Sequence, residues 1–257
     1  ARWDRGHVRQ AMEHATRALD ISRGIGWGAG EAAALGLRGF AHWSMARLDS
    51  ARDDFIVGLR LFRETGPRDY EAFGLTGLGM TCRDLGRLCE AAGHLERAVS
   101  LSARLSRWNS SSAVQILGRV YWELGRFADA LDLLGPAVAP KEGTGHRDGR
   151  AMMLDTVARI SLDLDRHEEG LEQAERALAL VKDTNRYWIQ ASILNAVAAA
   201  HRKLAHPDRA LQADDQALAL ARKVMSKRAE ADTLLSLSVT YPLMGRPHEA
   251  HARAAQA

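Results

Sequence analysis

The sequence predicts an all-α fold in which similar helix pairs stack along the chain as a right-handed solenoid. Three observations predict it: a phrase resembling Leu-Gly-Arg recurs about every 40 residues, small residues recur in phase with it, and large apolar residues precede it at helical spacing. The chain of 257 residues holds only 6 prolines, which favours helices. We count about six and a half repeats.

A marker residue, usually Gly, predicts the tight turn between the two helices of each repeat. Successive markers are separated by 40, 40, 39, 40, 40 and 40 residues. The seven markers are Gly6, Ala46, Gly86, Gly125, Asp165, Ala205 and Gly245. Such a constant step is typical of an internal repeat.

Small side chains fill three further columns in fixed phase with the marker. Five residues after the marker stand Ala11, Ala51, Ala91, Ala130, Gly170, Ala210 and Ala250. Twelve residues after it stand Ala18, Gly58, Ala98, Ala137, Ala177, Ala217 and Ala257. Seven residues before it stand Gly39, Gly79, Gly118, Ala158, Ala198 and Ser238. Because a small side chain lets a neighbouring helix come close, these columns predict stacking in a fixed register.

Large apolar residues form the buried face of the helix that precedes each marker. Eleven residues before the marker stand Leu35, Leu75, Val114, Leu154, Leu194 and Leu234. Eight residues before it stand Leu78, Leu117, Val157, Val197 and Leu237, and Arg38 is the exception in the first copy. A spacing of three to four residues predicts an amphipathic helix. Each repeat therefore contains an inner helix, a turn at the marker and a second helix.

These columns resemble the tetratricopeptide (TPR) repeat: a large residue, then Leu-Gly, then an aromatic residue, Ala, a bulky residue and Ala. Tyr121 and Tyr241 hold the aromatic place. Other residues replace it in four repeats: His42, Cys82, Ser161 and His201. The step is longer than the usual value of about 34 residues. Such long repeats resemble the TPR regions of bacterial signal-transduction ATPase regulators of transcription, both maltose-regulator-like and Streptomyces antibiotic-regulator-like, and they also occur in eukaryotic adaptors.

The resemblance implies that the inner helices line a concave groove in which ligands lie. The predicted groove residues are Phe40, Trp43, Phe73, Met80, Arg83, Gln115, Arg119, Trp122, Asp155, Arg159, Asn195 and Arg202. Arg119 and Arg159 hold the same place in consecutive repeats, so we expect their helices to be neighbours at about 8–10 Å. Guanidinium groups beside aromatic and thioether surface suit an extended peptide with acidic groups and apolar anchors, or an anionic small molecule.

Two interpretations of these arginines stay open. Arg119 has Glu123 four residues after it, and Arg159 has Asp155 four residues before it. Such pairs stabilise a helix by only about 0.2–0.5 kcal/mol, but they already occupy the guanidinium groups. The arginines therefore either form ordinary surface pairs or capture a ligand, and the tryptophans of the groove either face a ligand or pack between helices.

No catalytic or metal-binding pattern stands out. The glycine-rich segment 24–30 lacks the Lys-Ser/Thr of a phosphate-binding loop and follows no strand. His248 and His251 could share a helix face, but no third metal ligand lies nearby in the sequence. The sequence holds no Gly-x-Ser-x-Gly and no nucleophile at a meaningful spacing from a base. We therefore predict a protein that is not an enzyme and needs no cofactor.

The charge balance and the cysteine content limit the kinds of partner and the cellular compartment that we expect. The 35 basic and 32 acidic residues nearly balance, and no basic run is present, which argues against direct nucleic-acid contact. No apolar stretch approaches the roughly 18 residues that span a bilayer. Two cysteines, Cys82 and Cys89, cannot build a disulfide framework in a chain of this length, so we predict a cytoplasmic protein.

We treat residues 1–257 as one repeat domain, expected to be a piece of a larger protein. Pro136 falls inside a second helix and Pro140 should end it, so residues 136–149 are predicted to form the least regular junction. That junction is either a hinge between two rigid halves or an irregularity without function.

The predicted function is recognition of a protein, a peptide or an anionic small-molecule effector. We expect the sensor or regulatory module of a bacterial transcriptional regulator, which holds attached effector domains inactive until the groove is filled. Two alternatives stay open: a free-standing adaptor that assembles proteins through the groove, and a self-associating array whose end helices pair with another copy.

Overall fold

The computed structural model describes residues 5–65, 68–105, 110–139 and 147–249, and every regular element in these ranges is a helix. The helices are α1 (Arg5–Gly24), α2 (Gly28–Ser44), α3 (Leu48–Thr65), α4 (Arg68–Asp84), α5 (Leu88–Leu105), α6 (Ser110–Glu123), α7 (Phe127–Val138), α8 (Arg147–Asp163), α9 (His167–Val181), α10 (Tyr187–Lys203), α11 (Pro207–Lys223) and α12 (Lys227–Leu243). Residues 247–249, after α12, are also helical. No helix in the described part of the chain is long and apolar enough to cross a bilayer.

Residue contacts divide the chain into two compact units, residues 1–130 and 131–257. In unit 1 each helix from α1 to α6 packs on the next, and the inner helices α2, α4 and α6 also pack on one another in order. In unit 2 the helices α8 to α12 follow the same rule, with α8, α10 and α12 as the inner helices. Contacts that run only to near neighbours in the sequence are the pattern of a repeat solenoid, so the predicted stacking is confirmed in each unit.

The marker residues end the inner helices. Ala46, Asp165 and Ala205 have φ of 57°, and Gly86 has φ of 77°, which is the left-handed conformation. The amide of each marker from Ala46 to Gly245 donates to the carbonyl three residues earlier. The next amide donates to the carbonyl five residues before itself, as in Arg87 N to Cys82 O at 2.8 Å. This is the Schellman arrangement, which satisfies carbonyls left over at a helix end.

One marker was predicted wrongly. Gly6 lies within α1, which begins at Arg5, and does not form a turn. A left-handed C-cap residue cannot lie inside a helix, and Gly6 is helical.

The small residues sit where helices approach most closely. A Cβ added to Gly79 would lie 2.4 Å from Leu95 Cγ, and one added to Gly58 would lie 3.3 Å from the carbonyl oxygen of Ala32. The alanines five residues after the marker are fully buried at Ala51 and Ala210. The structure thus confirms the physical reason for the small columns.

The predicted junction is only partly described. Pro136 lies inside α7, the shortest of the twelve helices named above, which ends two residues later at Val138. Pro140 lies outside the described residues, as does His251. The glycine-rich segment forms a turn, with φ of 69° at Gly26, and α2 begins at Gly28.

Candidate binding surface

All predicted groove residues lie on inner helices, but they belong to two separately described units. The unit 1 face consists of Phe40, Trp43, Phe73, Met80, Arg83, Gln115, Arg119 and Trp122. The unit 2 face consists of Asp155, Arg159, Asn195 and Arg202. The expected proximity of Arg119 and Arg159 concerns residues of different units and stays a prediction.

The apolar half of the unit 1 face is an aromatic cluster between α2, α3 and α4. The Phe40 ring packs edge-on against Phe55 with centroids 5.0 Å apart, and its centroid is 4.9 Å from that of Phe73. Met80 is buried. Aromatic pairs of this geometry contribute about 0.5–1.5 kcal/mol beyond the area that they bury. These side chains mainly hold α2, α3 and α4 together.

The polar half of the unit 1 face is a ladder of donors and carboxylates. Trp43 Nε1 on α2 donates to Asp84 Oδ2 on α4 at 2.9 Å. Arg83 Nε on α4 donates to both oxygens of Glu123 on α6 at 3.0 and 3.1 Å. Each donor stands three residues before its marker, and each carboxylate stands two residues before the next marker. The ladder ties α2 to α4 and α4 to α6.

Glu123 is shared by two arginines. Arg119 Nε donates to Glu123 Oε1 at 3.3 Å, and its guanidinium lies over the Trp122 ring, 4.8 Å from the centroid. The side chains of Arg83, Arg119 and Glu123 are 17, 24 and 23 % exposed. The predicted pairing of Arg119 with Glu123 is confirmed, and solvent reaches the pair.

In the unit 2 face, Arg159 is bonded within its own helix and to the next inner helix. Its Nε donates to both oxygens of buried Asp155 at 3.2 Å, and its Nη2 donates to the carbonyl oxygen of Ser192 on α10 at 2.8 Å. The Ser192 hydroxyl also reaches Asp155, at 3.4 Å. The predicted pairing of Arg159 with Asp155 is thus confirmed. The additional bond from Arg159 to the Ser192 carbonyl joins α8 to α10.

Arg202 belongs to a buried polar network that joins α10, α11 and α12. Its Nη1 lies 3.3 Å from Asp214 Oδ2 and donates to the hydroxyls of Ser236 and Thr240 at 3.0 and 2.9 Å. Those hydroxyls donate to Asp214 at 2.7 and 2.6 Å. Burial raises the pKa of Asp214, against the lowering effect of Thr240, Ser236 and Arg202. Burial also lowers the pKa of Arg202, and Asp214 opposes this.

Asp214 is not among the residues predicted from the sequence, although its repeat position carries a signal for it. Asp214 stands nine residues after its marker, where every other copy has an apolar residue. That column reads Ala15, Phe55, Leu95, Leu134, Ala174, Asp214 and Ala254. A charged residue in an apolar column requires a partner, because a buried unpaired charge is costly.

The exception at Arg38 has a similar explanation. Arg38 Nε and Nη2 donate to the two oxygens of Asp54 on α3 at 2.7 and 2.6 Å, a bidentate pair. The hydrogen bond to Asp54 raises the pKa of Arg38. His42 Nε2 lies 3.9 Å from the same carboxylate, and burial lowers the pKa of His42.

The aromatic column meets the residue that follows the marker. The Arg126 guanidinium lies 4.2 Å from the Tyr121 ring centroid, and the ring of His201 lies 6.0 Å from that of His206. His201 is buried, and burial lowers its pKa. Burial and the Glu96 carboxylate raise the pKa of Tyr121 to about 12. Within the described residues, no group of three or more His, Cys, Asp or Glu side chains is placed to hold a metal ion.

The tetratricopeptide repeat family matches residues 190–228 of the chain. No curated protein matches the sequence. Among solved structures, the apo form of the quorum sensor NprR from B. thuringiensis is similar, with TM-score 0.74 and 14% identity over 95% of this chain and 69% of that one. A Rap protein complexed with Competence and Sporulation Factor has TM-score 0.71 and 12% identity over 89% and 70% of the two chains.

A third similar structure, BtubC (BKLC) from P. vanneervenii, has TM-score 0.68 and 13% identity over 85% of this chain and 92% of that one. At such low identity these likenesses establish the fold alone. Together with the stacked helix pairs and the Schellman turns, they show that the chain has a TPR-like repeat fold and contains a recognisable tetratricopeptide repeat at residues 190–228.

Proposed function

We propose that the chain is a cytoplasmic peptide- or protein-binding scaffold and that the unit 1 face is its recognition surface. The observation that carries the proposal is the group around Glu123, where two guanidinium groups share one carboxylate beside an indole ring and remain partly exposed. Cys82 and Cys89 are both free thiols, which is compatible with a reducing compartment.

This group suits an acidic side chain of a bound peptide. Partly exposed ion pairs contribute only about 0–1 kcal/mol, so an incoming carboxylate can replace Glu123 on Arg83 and Arg119 at little cost. Tryptophan and arginine are also the residues most often found at the energetic centres of protein interfaces. Trp122, over which the Arg119 guanidinium lies, would then supply apolar area beside the exchanged carboxylate.

The similar structures support this class of function. One is a Rap protein complexed with Competence and Sporulation Factor, and another is described as a quorum sensor. We extend the proposal to a sensor module that regulates an attached effector domain of a bacterial transcriptional regulator. Sequencing the gene on both sides of the region that encodes residues 1–257 tests this role. A flanking nucleotide-binding or helix-turn-helix domain supports the regulator, and the absence of any attached effector domain favours the free-standing adaptor instead.

The recognition surface is tested with a phage library of random dodecapeptides selected on the purified chain. An enriched peptide is synthesised and titrated by tryptophan fluorescence. The double variant Arg83→Gln/Arg119→Gln should weaken its binding about 10- to 100-fold, since hydrogen bonds to charged groups are worth about 1.5–3 kcal/mol. The variant Glu123→Gln should strengthen binding of the same peptide, because it removes the competing carboxylate.

Arg60→Gln is the matched control, because Arg60 is an exposed arginine on the second helix α3, outside the face. Its affinity should equal that of the unmodified chain. Equal affinity in the double variant, or no enriched peptide at all, would refute peptide recognition by this face.

A further inference from the structure

The turn between α10 and α11 differs in charge from four other marker turns. In those four copies an arginine follows the marker and pairs with a carboxylate three residues later. The pairs are Arg87–Glu90, Arg126–Asp129, Arg166–Glu169 and Arg246–Glu249. At the α10–α11 turn the same two positions hold His206 and Arg209. A histidine and a cation therefore stand where these four turns have a cation and an anion.

The buried ring beside this turn is also a histidine. His201 is 8 % exposed, and its ring centroid lies 6.0 Å from that of His206. The His206 amide donates to the His201 carbonyl at 2.8 Å, so the Schellman bond of this turn holds the two residues together. His201 Nδ1 is buried and has no hydrogen-bond partner among the described residues. A proton on this nitrogen brings a charge into a site that offers it no acceptor.

The groups around His201 disfavour a positive charge on its ring. Burial lowers the pKa of His201 most, and Arg209 on α11 and His206 lower it further. Glu175 on α9 acts in the opposite direction. The net direction is a lowered pKa, so burial and the two basic neighbours together outweigh the one carboxylate.

The other elements that pack on α10 leave this balance unchanged. At the repeat position of His201, the neighbouring inner helices α8 and α12 carry Ser161 and Tyr241, which are uncharged near neutral pH. Asp165, in the turn after α8, lies 3.8 Å from Lys203 Nζ and forms an ion pair with it. Within the described part of the chain, no carboxylate is bonded to the His201 ring.

We propose that the α10–α11 turn is an acid-sensitive latch, which holds α11 on α10 near neutral pH and releases it in mildly acidic solution. Protonation of His201 and His206 places two charged rings 6.0 Å apart beside Arg209. The rings can separate only if the backbone bond between these two residues breaks. The marker Ala205 between them has φ of 57°, an unfavourable conformation for a residue with a Cβ, and this weakens the turn further.

The direction of the pH dependence follows from the lowered pKa of His201. A group whose pKa is lower in the folded chain contributes stability above its unfolded pKa, and this contribution is lost as the pH falls through the folded pKa. The latch is therefore closed above the ordinary histidine pKa of about 6.5 and weakens below it. Arg202 follows His201 in α10 and bonds to Asp214 on α11, so release of α11 also opens this buried network.

Hydrogen exchange of the backbone amides, corrected for the intrinsic effect of pH on exchange, tests the latch. Between pH 7.5 and 5.5 the protection of amides in α10 and α11 should fall several-fold, with a limit of about tenfold per pH unit for each proton taken up. The α6–α7 turn is the internal control, because Tyr121, with its pKa raised to about 12, and Arg126 keep their charge states in this range. Equal loss at both turns, or no loss at the α10–α11 turn, overturns the proposal.

The double variant His201→Tyr/His206→Arg gives the α10–α11 turn the ring and the cation of the α6–α7 turn. Its protection in α10 and α11 should no longer depend on pH between 5.5 and 7.5, because neither new side chain titrates there. Protection at pH 5.5 should exceed that of the unmodified chain. A variant that keeps the full pH dependence overturns the latch.

A second variant keeps the test decisive if the double variant does not fold. His201→Phe preserves an aromatic ring in the buried place and removes the nitrogen that takes up the proton, so the loss of protection in acid should be largely abolished. His14→Gln is the matched control, since His14 is an exposed histidine on α1, and the pH dependence at the α10–α11 turn should be unchanged. Undiminished dependence in His201→Phe, or equal changes in both variants, contradicts the latch.

Discussion

Each unit places an arginine three residues before a marker and joins it to a carboxylate, yet the two pairs differ in burial. In unit 1 the carboxylate is Glu123, whose side chain is 23 % exposed, and in unit 2 it is Asp214, which is fully buried. The two arginines are similar, with side chains 17 and 14 % exposed. The burial of the carboxylate therefore decides whether the pair is an exchangeable surface contact or part of the core.

The two units also differ at one pair of repeat positions. Nine residues after the marker Ala46, unit 1 has Phe55, and Gly77 on the next inner helix faces it. The equivalent positions in unit 2 hold Asp214 and Ser236, which are joined by a hydrogen bond. In unit 1 the Phe55 ring fills the space between the helices, and Gly77 has no side chain to obstruct it. In unit 2 the Asp214 carboxylate occupies the equivalent position, and Ser236 supplies a hydroxyl that donates to it. The same helix stacking tolerates both.

The largest expected effect comes from removing the buried cation. Arg202→Met should lower the free energy of unfolding of unit 2 by about 3–5 kcal/mol, because it leaves Asp214 buried without its counter-charge. Hydrogen exchange of the backbone amides in α10–α12 measures the loss. Arg83→Met is the matched control and should cost about 0–1 kcal/mol, since Glu123 keeps Arg119 and reaches water. Equal costs would show that burial of the carboxylate is not decisive.

The loss in Arg202→Met should also depend on pH. Burial raises the pKa of Asp214 above its unfolded value, so its stabilising contribution is complete in acid and is lost as the pH rises through the folded pKa. Arg202 opposes this rise, so the variant should raise the pKa of Asp214 further. The deficit relative to the unmodified chain should therefore be largest near pH 7 and shrink toward acid. A deficit that is constant with pH would contradict the network.

A smaller effect on stability is expected in unit 1, at a helix contact that has no room for an added methyl group. A Cβ added to Gly77 would lie 2.4 Å from Phe55 Cε1, so Gly77→Ala should overpack this contact and cost about 1–3 kcal/mol. Phe55→Leu in the same chain should recover part of the loss. Gly93→Ala is the control in α5, where nothing lies within 4 Å of the added Cβ, and it should gain about 0.5–1 kcal/mol. These values are read from chemical denaturation, and a neutral Gly77→Ala would count against close packing at this position.

The helix pairs, their order and their turns could be predicted because they depend on columns that repeat in every copy. The ladder of Trp43, Arg83 and Glu123 could not, because it joins residues about 40 apart whose pairing depends on the exact approach of two helices. The buried role of Asp214 was predictable in principle from its apolar column. Whether the unit 1 face binds a ligand depends on how readily paired side chains change partners, which no column of residues encodes.

The smallest expected effect compares the turns, which both units share. Ala46 in unit 1 and Ala205 in unit 2 have φ of 57°, a conformation that is unfavourable for any residue with a Cβ. Ala46→Gly and Ala205→Gly should each stabilise the chain by about 0.5–1 kcal/mol, since the relief of strain exceeds the extra entropy of the unfolded glycine. Gly125→Ala, at φ of 71°, is the reverse change and should destabilise. Thermal denaturation measures the stability of all three variants. Because the Schellman turn is the same in both units, we expect equal gains at Ala46 and Ala205. Different gains would mean that the surrounding core, and not the turn, sets the strain.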